Sequence, residues 1–239
     1  MFPPLTTLSL LLLLLIHLSS TTLSPPDTIP HSTREHWMRA ANSALNSPCP
    51  FEAFGCVIVN HSDTSNSPHG ELVCSSQNQI RETGNPTLHG EVAAINECVK
   101  VLGERGWSAE EIKGAWEGLS LYTNGEPCPM CASAIRYSNF AECIFGTTIP
   151  TLIKKGWKQI SITSQELFDE SGLLPGKTRL IGGVLTEETD PLYSWQFDGK
   201  ADCPVGCQRG VEEHKGKGWC LPKVGRTATR SNHNKMLIR

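Results

Sequence analysis

Apolar positions along the chain switch between two periods, and each switch predicts a new helix or strand. Continuous or alternating apolar runs predict strands at residues 54–59, 71–78, 119–123, within 140–147 and, at a sheet edge, 179–184. Helical spacing predicts helices at residues 33–45, 89–102, 129–137, 149–155 and 164–171. Ser32 or Thr33 is the predicted cap of the first helix. The polar stretch 60–70 is predicted to be a long loop between the first two strands.

The order of these elements predicts the fold class. One helix is followed by two strands, and the remaining strands then alternate with helices. This order is typical of a layered α/β domain with a mixed sheet. We therefore expect a three-layer α/β/α domain with a central mixed sheet of about five strands.

Composition divides the chain of 239 residues into four segments. Residues 1–23 are the predicted leader, and residues 24–32 form a Pro-rich connector. Residues 33–190 carry the periodic pattern of the domain, a length sufficient for an ordinary globular core. Residues 191–239 lose the pattern and are predicted to be a C-terminal extension containing cysteines, lysines and arginines.

The N-terminus indicates a compartment. Residues 8–18 are almost all apolar and are followed by Ser19, Ser20, Thr21 and Thr22, as in a secretory signal peptide. A signal anchor is the alternative, although the run is short for a membrane span. Asn60, His61 and Ser62 form an N-glycosylation sequon within a polar stretch. We expect a secreted protein, or one in the lumen of the secretory pathway, with no membrane contact after the leader is removed.

The cysteine count bears on the compartment and the core of the protein, and the net charge bears on nucleic-acid binding. Ten cysteines suit disulfides in an oxidising compartment, or several small buried apolar side chains. Cys98, two turns along the 89–102 helix, is predicted to be a core residue. The net charge of −3 gives no overall basic footprint for nucleic acid.

Two short segments carry the chemistry. His89-Gly90-Glu91 gives H-x-E, and Pro127-Cys128-Pro129-Met130-Cys131 gives P-C-x-x-C. Each segment begins a predicted helix. In this order, the two motifs form the signature of zinc-dependent deaminases of nucleobases. Either motif alone is weak evidence, because C-x-x-C also occurs in structural zinc sites and redox pairs.

The residue types fit a catalytic zinc. Such an ion takes three protein ligands and leaves one coordination position for water, and His89, Cys128 and Cys131 supply the three. Helix N-termini favour negative charge, which stabilises thiolates. Glu91 lies two residues after the histidine and is the candidate general base and acid for proton transfer. A disulfide between Cys128 and Cys131, or a structural zinc, is the alternative, although no fourth ligand is evident nearby.

These motifs, with their surroundings, resemble a known family. Residues 33–185 resemble the cytidine and deoxycytidylate deaminase superfamily, most closely its guanine deaminase and tRNA adenosine deaminase branch. The resembling segments are 54–59, Asn78, 85–91, 121–123, 126–131 and 134–135. The resemblance implies a mixed five-stranded sheet between helices, a Zn²⁺ cofactor and a homo-oligomer, most simply a dimer. It also implies that Asn78 hydrogen-bonds the substrate. A turn residue is the alternative for Asn78.

The substrate is predicted only by class. A free base or nucleoside of the guanine or cytosine type is preferred, with deamination of tRNA adenosine as the alternative. A non-enzymatic alternative is a secreted binding protein on an inactive deaminase scaffold. The intact Glu91 argues against it, because a scaffold without chemistry does not need that carboxylate. The tryptophans are predicted to be packing residues, with Trp157 or Phe168 as a candidate wall of the pocket.

Overall fold

The computed structural model describes residues 29–210 and 219–223. Five strands form one sheet in the order β2-β1-β3-β4-β5. They are β1 (Gly55–Asn60), β2 (Glu71–Gln77), β3 (Leu119–Gly125), β4 (Glu142–Thr147) and β5 (Arg179–Ile181). β1 pairs antiparallel with β2 and β3, whereas β3, β4 and β5 run parallel. The mixed five-stranded sheet is confirmed, as is β5 at its edge.

Helices cover both faces of this sheet. They are α1 (His31–Ser43), α2 (Ile80–Thr83), α3 (Gly90–Glu104), α4 (Ala109–Ala115), α5 (Pro129–Ser138), α6 (Ile149–Lys154), α7 (Ser164–Glu170) and α8 (Thr186–Thr189). None of the helices in the described part of the chain has the length and hydropathy to cross a membrane. The leader and most of the connector lie outside the described residues.

Alternating side chains of the strands separate two cores, which confirms the three layers. Ile58 and Leu121 point to the face covered by α3 and α5, in a cluster with Leu102 and Ile135. Neighbouring residues such as Val57 and Tyr122 pack instead with residues of α1. The central strands β1, β3 and β4 are buried on both faces, so they appear in the sequence as continuous apolar runs.

Two local predictions require correction. No side chain caps α1, which follows Pro30, so the predicted cap at Ser32 or Thr33 is wrong. The Thr33 hydroxyl is instead buried and hydrogen-bonds the His69 ring, 3.0 Å away. The second correction is α4, which the apolar pattern did not reveal. It begins with a capping box between Ser108 and Glu111 and buries only Ile112 among its residues.

Three disulfides join six of the described cysteines: Cys49–Cys207, Cys74–Cys98 and Cys203–Cys220. Cys98 is fully buried, as predicted, and its bond to Cys74 ties α3 to β2.

Residues beyond 190 pack on the domain. Tyr193 and Trp195 are buried, and a short hairpin pairs β6 (Cys207–Arg209) with β7 (Cys220–Pro222). The division of the chain at residue 190 stays a prediction.

Candidate metal centre and cavity

Two helix N-termini position the candidate ligands. His89 is the N-cap residue of α3, and Cys128 is the N-cap residue of α5. Pro129 occupies the first turn of α5, where a missing N–H costs nothing. Cys131 follows one turn later and is fully buried.

The structure brings the three predicted ligands together. One donor atom from each of His89, Cys128 and Cys131 lies within 4.8 Å of the other two. The Cys128 sulfur is 3.5 Å from His89 Nδ1. In the part of the chain that the structure describes, this is the one group of histidine, cysteine and acidic side chains with such a spacing.

The two thiols have opposite electrostatic environments. A hydrogen bond from Cys131, then one from His89, lowers the pKa of Cys128 to about 4, although burial opposes the shift. The same hydrogen bond and burial raise the pKa of Cys131 far above its ordinary value. The hydrogen bond with Cys128 also raises the pKa of His89. A divalent cation bound by these three groups would displace their protons, because thiolates and neutral imidazole are the ligand forms.

Glu91 lies beside these donors and is almost fully buried. Burial, followed by repulsion from the Cys128 thiolate, raises the pKa of Glu91 to about 7. A carboxyl group with a pKa near the working pH can both accept and donate a proton. The geometry thus places a buried carboxyl group beside the zinc donors, at the position that H-x-E predicted.

The donor set fits zinc. One imidazole and two thiolates are the borderline-soft ligands that Zn²⁺ takes in catalytic sites, and three protein ligands leave a further coordination position. His89 and Cys128 also line a cavity of about 190 Å³, so that position has a space for water and substrate. The other lining residues are Glu52, Phe54, Asn78, Ile80, Glu91, Glu126, Trp157, Lys158 and Gln159.

Asn78 lies where the resemblance implied, in the wall of this cavity, and is buried. Its Oδ1 accepts a hydrogen bond from the Ile80 N–H, so the turn alternative also describes it. This turn orients the amide without using its Nδ2 donors. Its role toward substrate stays a prediction.

Sequence reasoning missed several cavity residues. Glu126 precedes the cysteine motif, and its carboxylate accepts hydrogen bonds from the backbone N–H groups of Ile149 and Ser164. It thereby joins the loop before α5 to the starts of α6 and α7. Of the two candidate aromatic walls, Trp157 lines the cavity, whereas Phe168 lies elsewhere, under the Arg136 guanidinium.

Gly90 allows α3 to approach the loop before β1. A Cβ atom at Gly90 would lie 2.7 Å from the Phe54 carbonyl oxygen, closer than real Cβ contacts. The same oxygen accepts a hydrogen bond from the Asn78 N–H. Glycine here therefore sets the distance between His89 and the wall formed by Phe54 and Asn78.

Comparison with known proteins decides the family. The model of the cytidine and deoxycytidylate deaminase zinc-binding region matches residues 31–147. A tRNA-specific adenosine deaminase of Bacillus subtilis is 31% identical over 130 residues, which is 54% of this chain and 70% of that protein. The chain belongs to the cytidine and deoxycytidylate deaminase superfamily.

Other relatives agree with the predicted branch of this superfamily. Guanine deaminase of Bacillus subtilis is 29% identical over 146 residues, covering 60% of this chain and 79% of that protein. The structure of guanine deaminase from Nitrosomonas europaea aligns with 69% of this chain and 82% of its own, at 14% identity and a TM-score of 0.50. The predicted resemblance, the fold class and the zinc cofactor are confirmed. The family and these relatives are deaminases of nucleobases and nucleosides, which makes them hydrolases.

Proposed function

We propose that this deaminase is a zinc-dependent enzyme that hydrolyses the exocyclic amino group of a guanine- or cytosine-type base or nucleoside and releases ammonia. One observation carries the proposal: buried Glu91 lies in the same cavity wall as His89 and Cys128, with Cys131 alongside. A binding scaffold does not need a buried carboxyl group beside a metal site, because burying it without a partner is costly.

The residues divide the chemistry among them. His89, Cys128 and Cys131 hold the zinc ion, which when bound supplies a Lewis acid that makes water nucleophilic near neutral pH. Glu91 accepts the proton of the attacking water. It passes this proton to the ring nitrogen, then takes the proton of the hydroxyl group that has added to the ring carbon and delivers it to the departing amine, which leaves as ammonia. The walls that Asn78 and Trp157 provide orient the ring and exclude bulk water.

The cavity supports a small substrate. Its volume, about 190 Å³, lies below the range of about 300–1,000 Å³ typical of sites for drug-sized ligands. Three carboxylate residues line it, against one lysine, Lys158, and the histidine ligand. Such a lining is a poor match for the phosphates around a tRNA base. Deamination of tRNA adenosine remains the second candidate because of the similarity to tRNA-specific adenosine deaminase.

A secretory location is part of the proposal. Its support is the leader-like N-terminus together with three disulfides among the described residues, since such bonds persist in oxidising compartments. Homodimerisation also remains a proposal, resting on the resemblance to the superfamily.

The test is a panel assay of ammonia release. The zinc-loaded protein is incubated with guanine, guanosine, cytosine, cytidine, adenine, adenosine and a tRNA anticodon stem-loop. We expect turnover of at least one free base or nucleoside and a loss of about 10²–10⁴-fold in Glu91→Gln, with zinc retained. Turnover of the stem-loop alone would favour the second candidate. Equal rates for Glu91→Gln and the parent would refute the proposed mechanism.

A further inference from the structure

Glu52 belongs to the cavity but to neither motif. It lies in the loop before β1 and lines the same space as His89 and Glu91. Its side chain is 26% exposed, so it faces both the cavity and solvent. Glu52 is therefore placed to contact a ligand held in the cavity beside the metal centre.

The three carboxylates of the cavity differ in what they already bind. Glu91 lies beside the zinc donors, and both oxygens of Glu126 accept backbone N–H groups. The Glu52 carboxylate accepts no hydrogen bond within residues 29–210 and 219–223. Its one ion pair there is to Arg81 Nε, at 3.8 Å. Of the three, Glu52 therefore has more acceptor capacity left for a ligand than Glu126, and unlike Glu91 it does not lie among the zinc donors.

Arg81 is supported by aromatic rings. Its guanidinium lies 4.6 Å from the centroid of the Phe51 ring and 4.8 Å from that of Trp219. The two rings stack on each other at 4.5 Å. Guanidinium groups bind aromatic faces favourably, so this contact restricts the rotamers of a partly exposed arginine. Arg81 thereby presents a fixed positive charge to Glu52.

The C-terminal segment anchors these rings. Cys49–Cys207 connects the hairpin to the loop that carries Phe51, and Cys203–Cys220 joins the chain before β6 to β7, next to Trp219. Gln196 donates a hydrogen bond of 3.1 Å to the Phe51 carbonyl. A disulfide and a hydrogen bond to the C-terminal part of the described chain thus hold the loop that contains Glu52 in place.

We propose that Glu52 is a specificity-determining residue whose carboxylate accepts a hydrogen bond from a substrate donor outside the reacting amidine group, with Arg81 as its positioning residue. This inference rests on the proposed function. The donor is an N–H or O–H group: the ring N–H that a free base carries where a nucleoside carries its sugar, or a ribose hydroxyl. A carboxylate suits either one, because charge-assisted hydrogen bonds are the stronger class.

The test pairs variants with substrate analogues. Glu52→Met removes the acceptor at similar length, Glu52→Gln keeps a weaker acceptor, and Glu82→Met on α2 is the matched control. For the best substrate of the panel, we expect Glu52→Met to lower kcat/KM about 10–100-fold, mainly through KM, and Glu52→Gln to lie between it and the parent. The control should match the parent.

Analogues identify the donor. Methylating the ring N–H of a free base, or removing the ribose hydroxyls of a nucleoside, should weaken parent binding by a similar factor. The same change should not weaken binding to Glu52→Met, because this variant already lacks the acceptor of the hydrogen bond. Calorimetric binding to the Glu91→Gln background measures this coupling without turnover. Arg81→Met should raise KM about threefold to tenfold with kcat unchanged, which a general loss of structure would not do.

The outcomes separate the two proposals. A parent enzyme that neither turns over nor binds any member of the panel refutes the proposed function, and the role of Glu52 with it. A parent that deaminates the substrate while Glu52→Met retains its kcat/KM refutes only the role of Glu52. Equal penalties for an analogue in the parent and in Glu52→Met refute it as well.

Discussion

The cavity has two walls of different origin. The metal wall is formed by His89 and Cys128, with the third donor Cys131 buried beside them, and the N-termini of two helices on the sheet place all three. The acidic wall carries Glu52, and contacts among Phe51, Arg81 and Trp219 support it. The first wall depends on short local motifs, whereas the second depends on contacts between distant parts of the chain. Chemistry and selectivity can therefore be changed separately.

The largest expected effect comes from breaking the metal wall. Cys131→Ser removes a thiolate ligand, so we expect zinc content to fall severalfold and ammonia release to fall to background. Cys143→Ala, at another buried free thiol, should keep its zinc. Zinc analysis of the purified variants measures the difference. Full zinc occupancy in Cys131→Ser would show that this thiol is not a ligand.

Removing the Cys49–Cys207 disulfide, which supports the acidic wall, should lower stability and substrate affinity and leave kcat nearly unchanged. Cys49 and Cys207 are separated by 158 positions, and the chain-entropy relation gives about 5 kcal/mol for such a loop. The Cys49→Ser/Cys207→Ser double variant should therefore unfold at lower denaturant and show a raised KM. Cys203→Ser/Cys220→Ser, with a separation of 17, should lose less, about 3 kcal/mol. Equal losses in the two double variants would contradict the loop-length account.

Gly90 tests the distance between the walls. The added methyl group of Gly90→Ala must displace the Phe54 carbonyl or the start of α3. We expect kcat/KM to fall about tenfold, because small displacements of reacting groups are costly. Gly103→Ala on the same helix meets nothing within 4 Å and should leave activity unchanged. Wild-type activity in Gly90→Ala would show that this close approach does not control the cavity.

The smallest expected effect is a pH dependence of stability, and the histidines responsible for it lie away from both walls. Burial lowers the pKa of His61, and burial together with His69 and Arg39 lowers that of His36. At these two histidines the unfolded chain therefore binds more protons than the folded chain once the pH falls below about 6.5. The contribution of the two histidines to stability should decline as the pH decreases through that value. Thermal unfolding of the zinc-loaded protein should show a shallower decline in His61→Gln, and an unchanged slope would exclude His61 as a source.

The same contrast explains how much could be predicted from the sequence. The central strands β1, β3 and β4 were recognisable because burial on both faces leaves continuous apolar runs. The apolar pattern did not predict α4, because Ile112 is the one residue of this helix that is buried. The main sequence signal of α4 is the capping box at Ser108. Nothing local indicated the hairpin of β6 and β7, whose pairing depends on residues brought together by the fold.

The site divides in the same way. His89, Glu91, Cys128 and Cys131 could be found because H-x-E and C-x-x-C are short local motifs, each at the start of a helix. Glu52 and Arg81 could not, because no periodicity links a loop carboxylate to an arginine 29 positions later and a tryptophan near the end of the described chain. The three disulfide pairings likewise required the fold, since sequence spacing allows many combinations.

X-ray absorption at the zinc edge tests the central claim most directly. The purified protein should contain about one zinc per chain. Its spectrum should show two sulfur ligands at about 2.3 Å and lighter nitrogen or oxygen ligands at about 2.0–2.1 Å. A shell of four sulfurs, or a protein that remains metal-free after zinc is supplied, would contradict the assignment of His89, Cys128 and Cys131 as the ligands of a catalytic zinc.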